Sequence, residues 1–350
     1  MNILQSKLYQ GDINKSLSSV LKIEELKNSR ILITGATGLV CSAIVDLLVN
    51  ADLNITVYAA GRLEKKVVER FAEKVVFLPY DATKAIAFDV DVDYIIHGAS
   101  NASPNLYVNE PVETMQANIN GMQNLLEYAR KKSVKKVIYV SSSEVYGRKE
   151  SIEPFKEDQY GFIDLLNPRS SYSIAKRAAE TMCVSYHAEY GVPFNVVRLG
   201  HIYGPSASRS DKRVSSDFAY KAAGRENLVL KSEGKQIRSY CYSLDCASAI
   251  LSVLTSGVDC EAYNISNKDS IINIREMAAY LAEAGEVDLL FDIPSKTEAA
   301  AFNPMDNSSL DSTKLESLGW NGIFSAKDGL EHTVQILKEC SNFRIMETNK

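Results

Sequence analysis

The fold of this chain is decided by the stretch Arg30-Ile31-Leu32-Ile33-Thr34-Gly35-Ala36-Thr37-Gly38-Leu39-Val40-Cys41. Its first five residues form an apolar run that predicts a buried parallel strand, and an apolar-rich helix to about Val49 follows the two glycines. A strand, a glycine turn and a helix in this order bring bare backbone amides and a helix N-terminus together, which suits a pyrophosphate. The predicted contacts to a dinucleotide are Gly35, Thr37, Gly38 and Leu39. Cys41 stands where the usual pattern has a third glycine, and because cysteine is small we expect close packing between helix and strand to survive.

Short apolar runs and helical segments alternate along the chain after this turn. Strands are predicted at 54–60, 75–78, 93–100, 136–141 and 193–199, with a long helix at 111–132. This βαβ alternation with short connections predicts an α/β fold with a doubly wound parallel sheet of the Rossmann type. In such sheets ligands bind at the C-terminal ends of the strands.

Three regions are expected from this pattern. Residues 1–29 would form a helical extension whose function the sequence does not reveal, and residues 30–199 would form the dinucleotide-binding domain. The pattern loosens after residue 199, so residues 200–243 and 266–340 are assigned to a smaller C-terminal substrate lobe, while residues 244–265 return to the first domain.

The composition is that of an ordinary globular protein, and it argues against several classes of function. Of the 350 residues 45% are hydrophobic and 24% are charged, and the net charge of −5 offers no basic surface for nucleic acid. The six cysteines form no Cys-x-x-Cys pair and the four histidines are scattered, so neither a metal site nor a disulfide framework is expected. No run reaches the ~18 apolar residues of a membrane span. We therefore expect a cytoplasmic protein without a membrane partner.

The end of the second predicted strand bears on the choice of cofactor. An acidic residue usually holds a free ribose 2′-hydroxyl at this position, whereas this chain has Gly61-Arg62 there. Arginine suits a 2′-phosphate, so NADP(H) is slightly preferred over NAD, although Arg62 would equally serve as a solvated charge. Two further contacts are predicted, Asp81 at the adenine edge and Ala99 among the small residues beneath the dinucleotide. His97 lies within an apolar strand and is predicted to be a packed core residue.

The candidate catalytic residues lie in Ser141-Ser142-Ser143-Glu144-Val145-Tyr146-Gly147 and in Tyr172-Ser173-Ile174-Ala175-Lys176. In a helix, Tyr172 and Lys176 would share one face about one turn apart. The cation favours the phenolate, so we expect the pKa of Tyr172 to fall towards neutrality, where the phenol could exchange a proton with a sugar hydroxyl or carbonyl. Ser142, at the end of the preceding strand, would be a second hydrogen-bond partner for the same oxygen. A tyrosine and a lysine at this spacing also occur by chance, so the prediction depends on the glycine turn that precedes them.

With the glycine turn, the serine-glutamate strand end and the Tyr172 and Lys176 pair in this order, the chain resembles the extended short-chain dehydrogenase/reductases over roughly residues 30 to 338. Within them it is similar to the NAD-dependent epimerase/dehydratase family, which acts on nucleotide sugars. The resemblance implies a Rossmann domain for NAD(P), a smaller lobe for a nucleoside-diphosphate sugar, and a homodimer formed through the long helices at 111–132 and 171–190.

The same resemblance implies a role for each catalytic residue. Tyr172 would be the base, Lys176 its electrostatic partner and ribose ligand, and Ser142 the hydroxyl that orients the substrate. The first step shared by the family is transfer of the 4-hydroxyl proton of the sugar to Tyr172 as hydride passes to the nicotinamide, or the reverse.

Departures from the family pattern separate the reactions that could follow. The 4,6-dehydratases place an Asp-Glu pair after the catalytic hydroxyl, but this chain has Ser143-Glu144, which disfavours dehydration. The segments Ala102-Ser103-Pro104, Ser143-Glu144 and Asn167-Pro168-Arg169 look like those of the UDP-glucuronate decarboxylases, in which such an arginine helps to manage the sugar carboxylate. Those enzymes also carry a basic residue about thirteen positions before the tryptophan matched by Trp320, and Asn307 stands there, so decarboxylation is not favoured.

The substrate contacts expected from these motifs are Ser103, Ser143, Arg169, His201 and Arg238. His201 is a further departure, because many relatives have asparagine there against the substrate phosphate. Arg238 is included because a planar guanidinium matches a diphosphate, although a surface arginine is as common.

The preferred function is an NADPH-dependent reductase of a 4-keto-6-deoxy sugar, because Arg62 indicates NADP(H) and a net reduction uses that pool. Glu144 would then order the sugar ring or act as a secondary acid. A redox-neutral 4-epimerase stands nearly level, and a UDP-glucuronate decarboxylase follows. The non-enzyme alternative is a dinucleotide-sensing binding protein on the same fold.

Overall fold

The computed structural model describes residues 3–100, 102, 104–293 and 306–348. The strands are β1 Arg30–Thr34, β2 Thr56–Gly61, β3 Val76–Pro79, β4 Tyr94–His97, β5 Lys136–Ser142, β6 Phe194–Leu199, β7 His201–Tyr203, β8 Leu228–Leu230, β9 Ile237–Tyr242, β10 Ala262–Ile265, β11 Ile271–Asn273 and β12 Leu289–Phe291. The helices are α1 Lys7–Ser18, α2 Leu39–Val49, α3 Glu64–Phe71, α4 Pro104–Asn109, α5 Pro111–Lys132, α6 Ser171–Tyr190, α7 Val214–Ala223, α8 Ser243–Ser256, α9 Ile274–Gly285, α10 Thr313–Glu316 and α11 Ala326–Thr348.

Seven strands form a central sheet in the order β10-β6-β5-β4-β1-β2-β3, and each neighbouring pair is parallel. Parallel sheets carry crossover helices on both faces, which is why β1 reads as an apolar run and β6 is buried along its whole length. Helices α5 and α6 pack on one face, and α2 and α8 pack on the other. The predicted α/β fold with a doubly wound Rossmann sheet is confirmed.

The strands after β6 form two small sheets, and β10 then returns to the central sheet. Strand β9 pairs in parallel with β7 and antiparallel with β11, while β8 pairs with β12. Strand β10 pairs with β6 and so completes the central sheet at its edge. Because β7 directly follows β6, the small sheet lies against the C-terminal ends of the central strands.

The N-terminal extension is part of this fold. Helix α1 contacts α2, α8 and α11. The Tyr9 hydroxyl donates to Asp46 of α2 at 2.7 Å, and Asp12 accepts from the Tyr242 hydroxyl at 3.0 Å. Asp12 also lies 3.0 Å from Nδ1 of His332 in α11. Both carboxylates are buried, so α1 joins the two lobes through polar contacts that water does not reach.

None of the described helices combines the length and the apolar character that a membrane crossing requires. All six cysteines are free thiols.

Candidate active site

The glycine turn forms a cradle at the C-terminal end of β1. Gly35 has a φ of +69°, which L side chains rarely adopt, and a Cβ there would lie 2.9 Å from the backbone nitrogen of Ala99. Gly38 is the N-cap of α2, and it is exposed together with Thr37. The first amides of a helix lack intrahelical partners, so the start of α2, including Leu39, is open to an anionic ligand. The cradle therefore fits the pyrophosphate of a dinucleotide.

Cys41 performs the packing role of the missing third glycine with the help of Gly98. Cys41 is buried in the first turns of α2. A Cβ on Gly98, the residue after β4, would lie only 2.3 Å from Sγ of Cys41. The side chain gained at position 41 is thus accommodated by the absence of one at position 98, and the helix keeps its close approach to the sheet.

The residues expected around the adenosine lie at the ends of β2, β3 and β4. Arg62 follows β2 and is exposed. Asp81 accepts hydrogen bonds from the backbone and the hydroxyl of Thr83 at 3.0 and 2.8 Å, and these bonds hold its pKa below the usual range. The Ala99 N–H donates to the Thr34 hydroxyl at 3.2 Å, which fixes the strand end beneath the cradle.

His97 is a core residue in the structure. It is buried, and its Nδ1 lies 2.7 Å from the Thr34 hydroxyl oxygen. Burial lowers the pKa of His97 to about 3, so the ring is neutral and packs between strands.

The Tyr172 side chain lies beside Ser142 at the end of β5 and beside Tyr107, and both neighbours act on its pKa through side-chain hydrogen bonding. The Tyr107 ring also stacks on the Tyr172 ring, with centroids 4.3 Å apart and planes inclined by 9°. Ser142 in turn accepts from the Glu144 N–H at 3.2 Å, which fixes its side chain at the strand end.

Burial raises the pKa of Tyr172 to about 12, although the Ser142 and Tyr107 hydrogen bonds act in the opposite direction. The prediction that this pKa falls towards neutrality is therefore wrong for this arrangement. The physical reason is twofold: helix spacing says nothing about desolvation, and the Lys176 ammonium is engaged by the Val140 carbonyl. The Nζ of Lys176 donates to the Val140 carbonyl at 2.8 Å and lies 5.7 Å from the centre of the Tyr172 ring.

Lys176 is itself perturbed by its surroundings. It is 3% exposed, and burial lowers its pKa to about 7, while the Glu180 carboxylate acts in the opposite direction. Its Nζ lies 4.7 Å from the centre of the Tyr139 ring. Lys176 therefore changes its charge close to neutral pH, which is unusual for lysine and common among groups that take part in proton transfer.

Glu144 forms the wetter side of the site. Its carboxylate accepts from the Ser173 hydroxyl at 3.3 Å and lies 3.5 Å from the Arg169 guanidinium. Both partners of the ion pair are partly exposed, so a bound ligand can replace the contact at little cost. Ser143 begins the short 3-10 helix that carries Glu144.

The second lobe contributes positive charge to the other side of the site. Arg238 on β9 is 3% exposed and donates to the Ile237 carbonyl at 2.8 Å. His201 on β7 lies against Tyr240, with ring centroids 5.8 Å apart, and its Nδ1 has no hydrogen-bond partner among the described residues. Burial lowers the pKa of His201 to about 3, and the charges of Arg238 and Arg213 act in the same direction. A neutral histidine between two arginines suits a phosphate group.

The structure brings most of the predicted site residues to one edge of the central sheet. Ser103 lies outside the described residues, so its predicted contact stays a prediction. Two residues near the phenol were not among the predicted contacts, namely Tyr107 and Arg213, whose charge acts on Tyr172. Tyr107 reaches Tyr172 across a long separation in the chain, and no local pattern in the sequence marks that contact.

Among the residues that the structure describes, no cluster of three or more His, Cys, Asp or Glu side chains is arranged to hold a metal ion.

Comparison with known proteins identifies relatives of the whole chain. The NAD dependent epimerase/dehydratase family matches residues 31–266. UDP-glucuronic acid decarboxylase 1 of Xenopus tropicalis is 30% identical over 325 residues, which are 91% of this chain and 74% of that protein. UDP-glucuronic acid decarboxylase 3 of Arabidopsis thaliana is 30% identical over 310 residues, which are 87% of each chain.

Solved structures give the same family of folds. UDP-glucose 4-epimerase of Thermotoga maritima, crystallised with UDP-glucose, is 26% identical with a TM-score of 0.77 and covers 89% of this chain and 99% of its own. A dTDP-glucose 4,6-dehydratase of Streptomyces venezuelae, with NAD bound, is 25% identical with a TM-score of 0.74 and covers 90% of this chain and 98% of its own.

Proposed function

The chain belongs to the NAD-dependent epimerase/dehydratase family of nucleotide-sugar enzymes, and we propose that it is a redox-neutral 4-epimerase of a nucleoside-diphosphate hexose. The observation that carries the proposal is the position of the Tyr172 phenol beside Ser142 and against the Tyr107 ring, whose centroid lies 4.3 Å from that of Tyr172. This group lies at the same sheet edge as the Gly35 cradle, where a dinucleotide and a sugar would meet.

In the proposed reaction the phenolate form of Tyr172 accepts the proton of the sugar 4-hydroxyl, and Ser142 orients that hydroxyl by hydrogen bonding. Because burial raises the pKa of Tyr172 to about 12, this form is the minority at neutral pH and its formation is part of the barrier. When bound, NAD(P) supplies the acceptor for the C4 hydride and returns it. Tyr172 then gives its proton back to the oxygen at C4 after the 4-ketone has turned its other face. One phenol serves both steps, so epimerisation requires no further acid, and Lys176 supplies a nearby positive charge while the proton is in transfer.

Two side chains support epimerisation over the reactions of related enzymes. Ser143 has no carboxyl group with which to protonate a departing C6 oxygen, as a dehydratase needs. Asn307 brings no charge to a sugar carboxylate, and its amide is already engaged, because its Nδ2 donates to the Ile152 carbonyl and its Oδ1 accepts from the Ser309 N–H at 2.8 Å. A hexose without a carboxylate therefore suits the site best.

A UDP-glucuronate decarboxylase is the second candidate. It is favoured by the Arg169 and Glu144 pair, which lies where a sugar carboxylate would be met, and by 30% identity to enzymes of that name. In this alternative Arg169 would leave Glu144 and pair with the substrate. The proposal above is preferred because one partly exposed arginine is a weak site for an anion that must lose its charge.

For the cofactor we propose NADP(H), with NAD accepted less well. The support is Arg62, which is exposed at the end of β2 where a 2′-phosphate would lie. Replacement Arg62→Ala should weaken NADPH binding about tenfold, as expected for loss of one charge-assisted contact, and leave NADH binding unchanged. Titration of the protein fluorescence with each nucleotide measures both constants. Equal losses for the two nucleotides would show that Arg62 does not distinguish them.

The function is tested by incubating the purified protein with NAD or NADP and, in separate reactions, with UDP-glucose, UDP-N-acetylglucosamine and UDP-glucuronate. The expected result is the C4 epimer of one hexose with no net change in absorbance at the wavelength of the reduced nicotinamide. Replacement Tyr172→Phe should lower the rate by about 10²- to 10⁴-fold, since it removes the acid-base group.

The other outcomes each identify a different function. Release of carbon dioxide from UDP-glucuronate would establish the decarboxylase. Steady oxidation of NADPH with a 4-keto-6-deoxy sugar nucleotide would establish the reductase that the sequence favours. Dinucleotide binding without turnover of any sugar would indicate a sensing protein and overturn the proposal.

A further inference from the structure

A buried ion pair lies one helical turn beyond Lys176. The Glu180 carboxylate accepts from the Arg198 guanidinium at 2.7 and 3.1 Å and from the Ser141 hydroxyl at 2.6 Å. Both side chains of the ion pair are at most a tenth exposed. Glu180 follows Lys176 by four residues on α6, so the two side chains share one face of the helix.

Arg198 is held on every side, which keeps the carboxylate in one position. One of its terminal nitrogens donates to the Tyr146 hydroxyl at 3.1 Å and to the Glu157 carbonyl at 2.7 Å. The other donates to the Tyr160 hydroxyl at 2.9 Å. Tyr146, Glu157 and Tyr160 all lie in the segment between Glu144 and α6. Their contacts with Arg198 tie this segment to strand β6, so Glu180 cannot move without disturbing the site.

Among the described residues, Glu180 is the carboxylate that favours the charged form of Lys176. The other titratable groups that act on this lysine or are acted on by it are two thiols, Cys41 and Cys183, and the imidazole of His97. Burial raises the pKa of both thiols, and His97 has a pKa of about 3, so all three are neutral at pH 7. The Tyr139 and Tyr172 rings that face the lysine are neutral as well.

We propose that Glu180 is a positioning residue that keeps Lys176 charged in its buried place, acting through its own negative charge and anchored by Arg198 and Ser141. The inference rests on the proposed function, because it assigns the Lys176 ammonium a part in that proton transfer. Burial disfavours the charged form of Lys176, and a buried anion that is itself hydrogen-bonded shifts the lysine towards that form. The arrangement supplies that anion without contact to substrate.

The test is the titration of Lys176 itself, which needs no substrate. The full-length protein is labelled with lysine carrying ¹³C at Cε, and the Lys176 resonance is assigned by its loss in Lys176→Arg. Replacement Glu180→Gln preserves shape and removes the charge, so the titration midpoint of Lys176 should fall by at least about one pH unit. Glu180→Asp retains the charge and should keep most of the wild-type midpoint.

A matched control separates local charge from general charge. Glu189 is exposed on the same helix, and Glu189→Gln should leave the midpoint of Lys176 unchanged. If Glu180→Gln does not fold because Arg198 is left unpaired, the double replacement Glu180→Gln with Arg198→Met removes both charges and should show the same lower midpoint. An unchanged midpoint in a folded variant that lacks the Glu180 charge would overturn the inference.

The pH profile of turnover gives the second readout. For Glu180→Gln, the limb of kcat on which activity is lost as pH rises should move to lower pH, whereas a purely structural role would lower activity equally at every pH. Failure of the proposed function is distinguishable, because the NMR titration reports on Lys176 whichever sugar reaction the enzyme performs.

Discussion

The replacement Gly98→Ala tests how this chain accommodates Cys41 in place of a glycine. A Cβ at position 98 would lie 2.3 Å from Sγ of Cys41, more than 1 Å inside the ~3.5–4.0 Å separation at which non-bonded atoms attract. Its other neighbours, the Thr34 carbonyl oxygen at 3.4 Å and a Val140 methyl at 3.8 Å, are at ordinary contact distance. The steric conflict therefore lies with Sγ of Cys41 alone. Cys41 is 3% exposed, so its sulfur has no open space to enter.

Overpacking of this kind costs about 1–3 kcal/mol in free energy of unfolding. Cys41→Ala alone should cost about 1 kcal/mol, because it removes one buried sulfur atom. In the double variant the added methyl group occupies the space that the sulfur leaves, so the two losses should not add. We expect a coupling free energy of about 1–2 kcal/mol that favours the double variant.

The assay is urea unfolding of the four proteins in the presence of reductant. Far-UV circular dichroism reports the whole fold, and the single tryptophan, Trp320, which is 1% exposed and donates to the Ser248 hydroxyl on α8 at 3.0 Å, reports the packing around α8. Coincident transitions by the two probes justify a comparison of free energies. Wild-type stability for Gly98→Ala, or equal destabilisation by this change with and without Cys41, would refute the reasoning.

Three further predictions concern the phenol, the N-terminal helix and assembly. Tyr107→Phe removes a hydrogen bond that lowers the pKa of Tyr172, so kcat should fall and the pH of half-maximal turnover should rise by about one unit, which a pH–rate profile measures. The Asp12 contact raises the pKa of His332 in the folded protein above its value of ~6.5 in the unfolded chain. The pair therefore stabilises the fold fully below pH ~6.5, and this stabilisation is lost as pH rises through the pKa of His332 in the folded protein. His332→Gln should therefore lower the urea midpoint at pH 5.5 more than at pH 8.5, and an equal loss at both would contradict the assignment. Val184 on α6 is 54% exposed. If the expected homodimer forms through α5 and α6, Val184→Glu should yield monomers in light scattering. A mass unchanged from wild type would place the interface elsewhere or exclude a dimer.

The central sheet was predictable because its strands are buried on both faces. Strands β1 and β5 each contain an apolar run, Ile31-Leu32-Ile33 and Val137-Ile138-Tyr139-Val140, and the glycine turn after β1 fixes the direction of the first crossover. The short strands β7, β11 and β12 have three residues each, too few for any period to emerge. Strands β7 and β11 form because β9 offers them an edge, and β12 forms against β8. These edges are properties of the folded chain and not of the strands' own sequences.

The catalytic pair shows where spacing stops being informative. Four residues of separation place Tyr172 and Lys176 on one helix face, and they do share it. The spacing does not reveal that both side chains are buried, that the Val140 carbonyl takes the ammonium, or that Tyr107 covers the phenol. These three facts depend on elements far apart in the chain, and together they reverse the direction of the Tyr172 pKa shift.

The two sides of the site differ in exposure, and this difference determines what a substitution in each will change. Tyr172 and Lys176 are nearly dry, so burial is the main influence on the proton chemistry of both, and the Glu180 carboxylate acts in addition on Lys176. Glu144 and Arg169 keep about a third to a half of their side-chain surface in water, and solvent screens their mutual attraction. A substrate that replaces the Arg169 contact gains little from it unless the substrate itself excludes water. Changes on the wet side should therefore alter which sugar is accepted, and changes on the dry side should alter the rate and its pH dependence for every sugar.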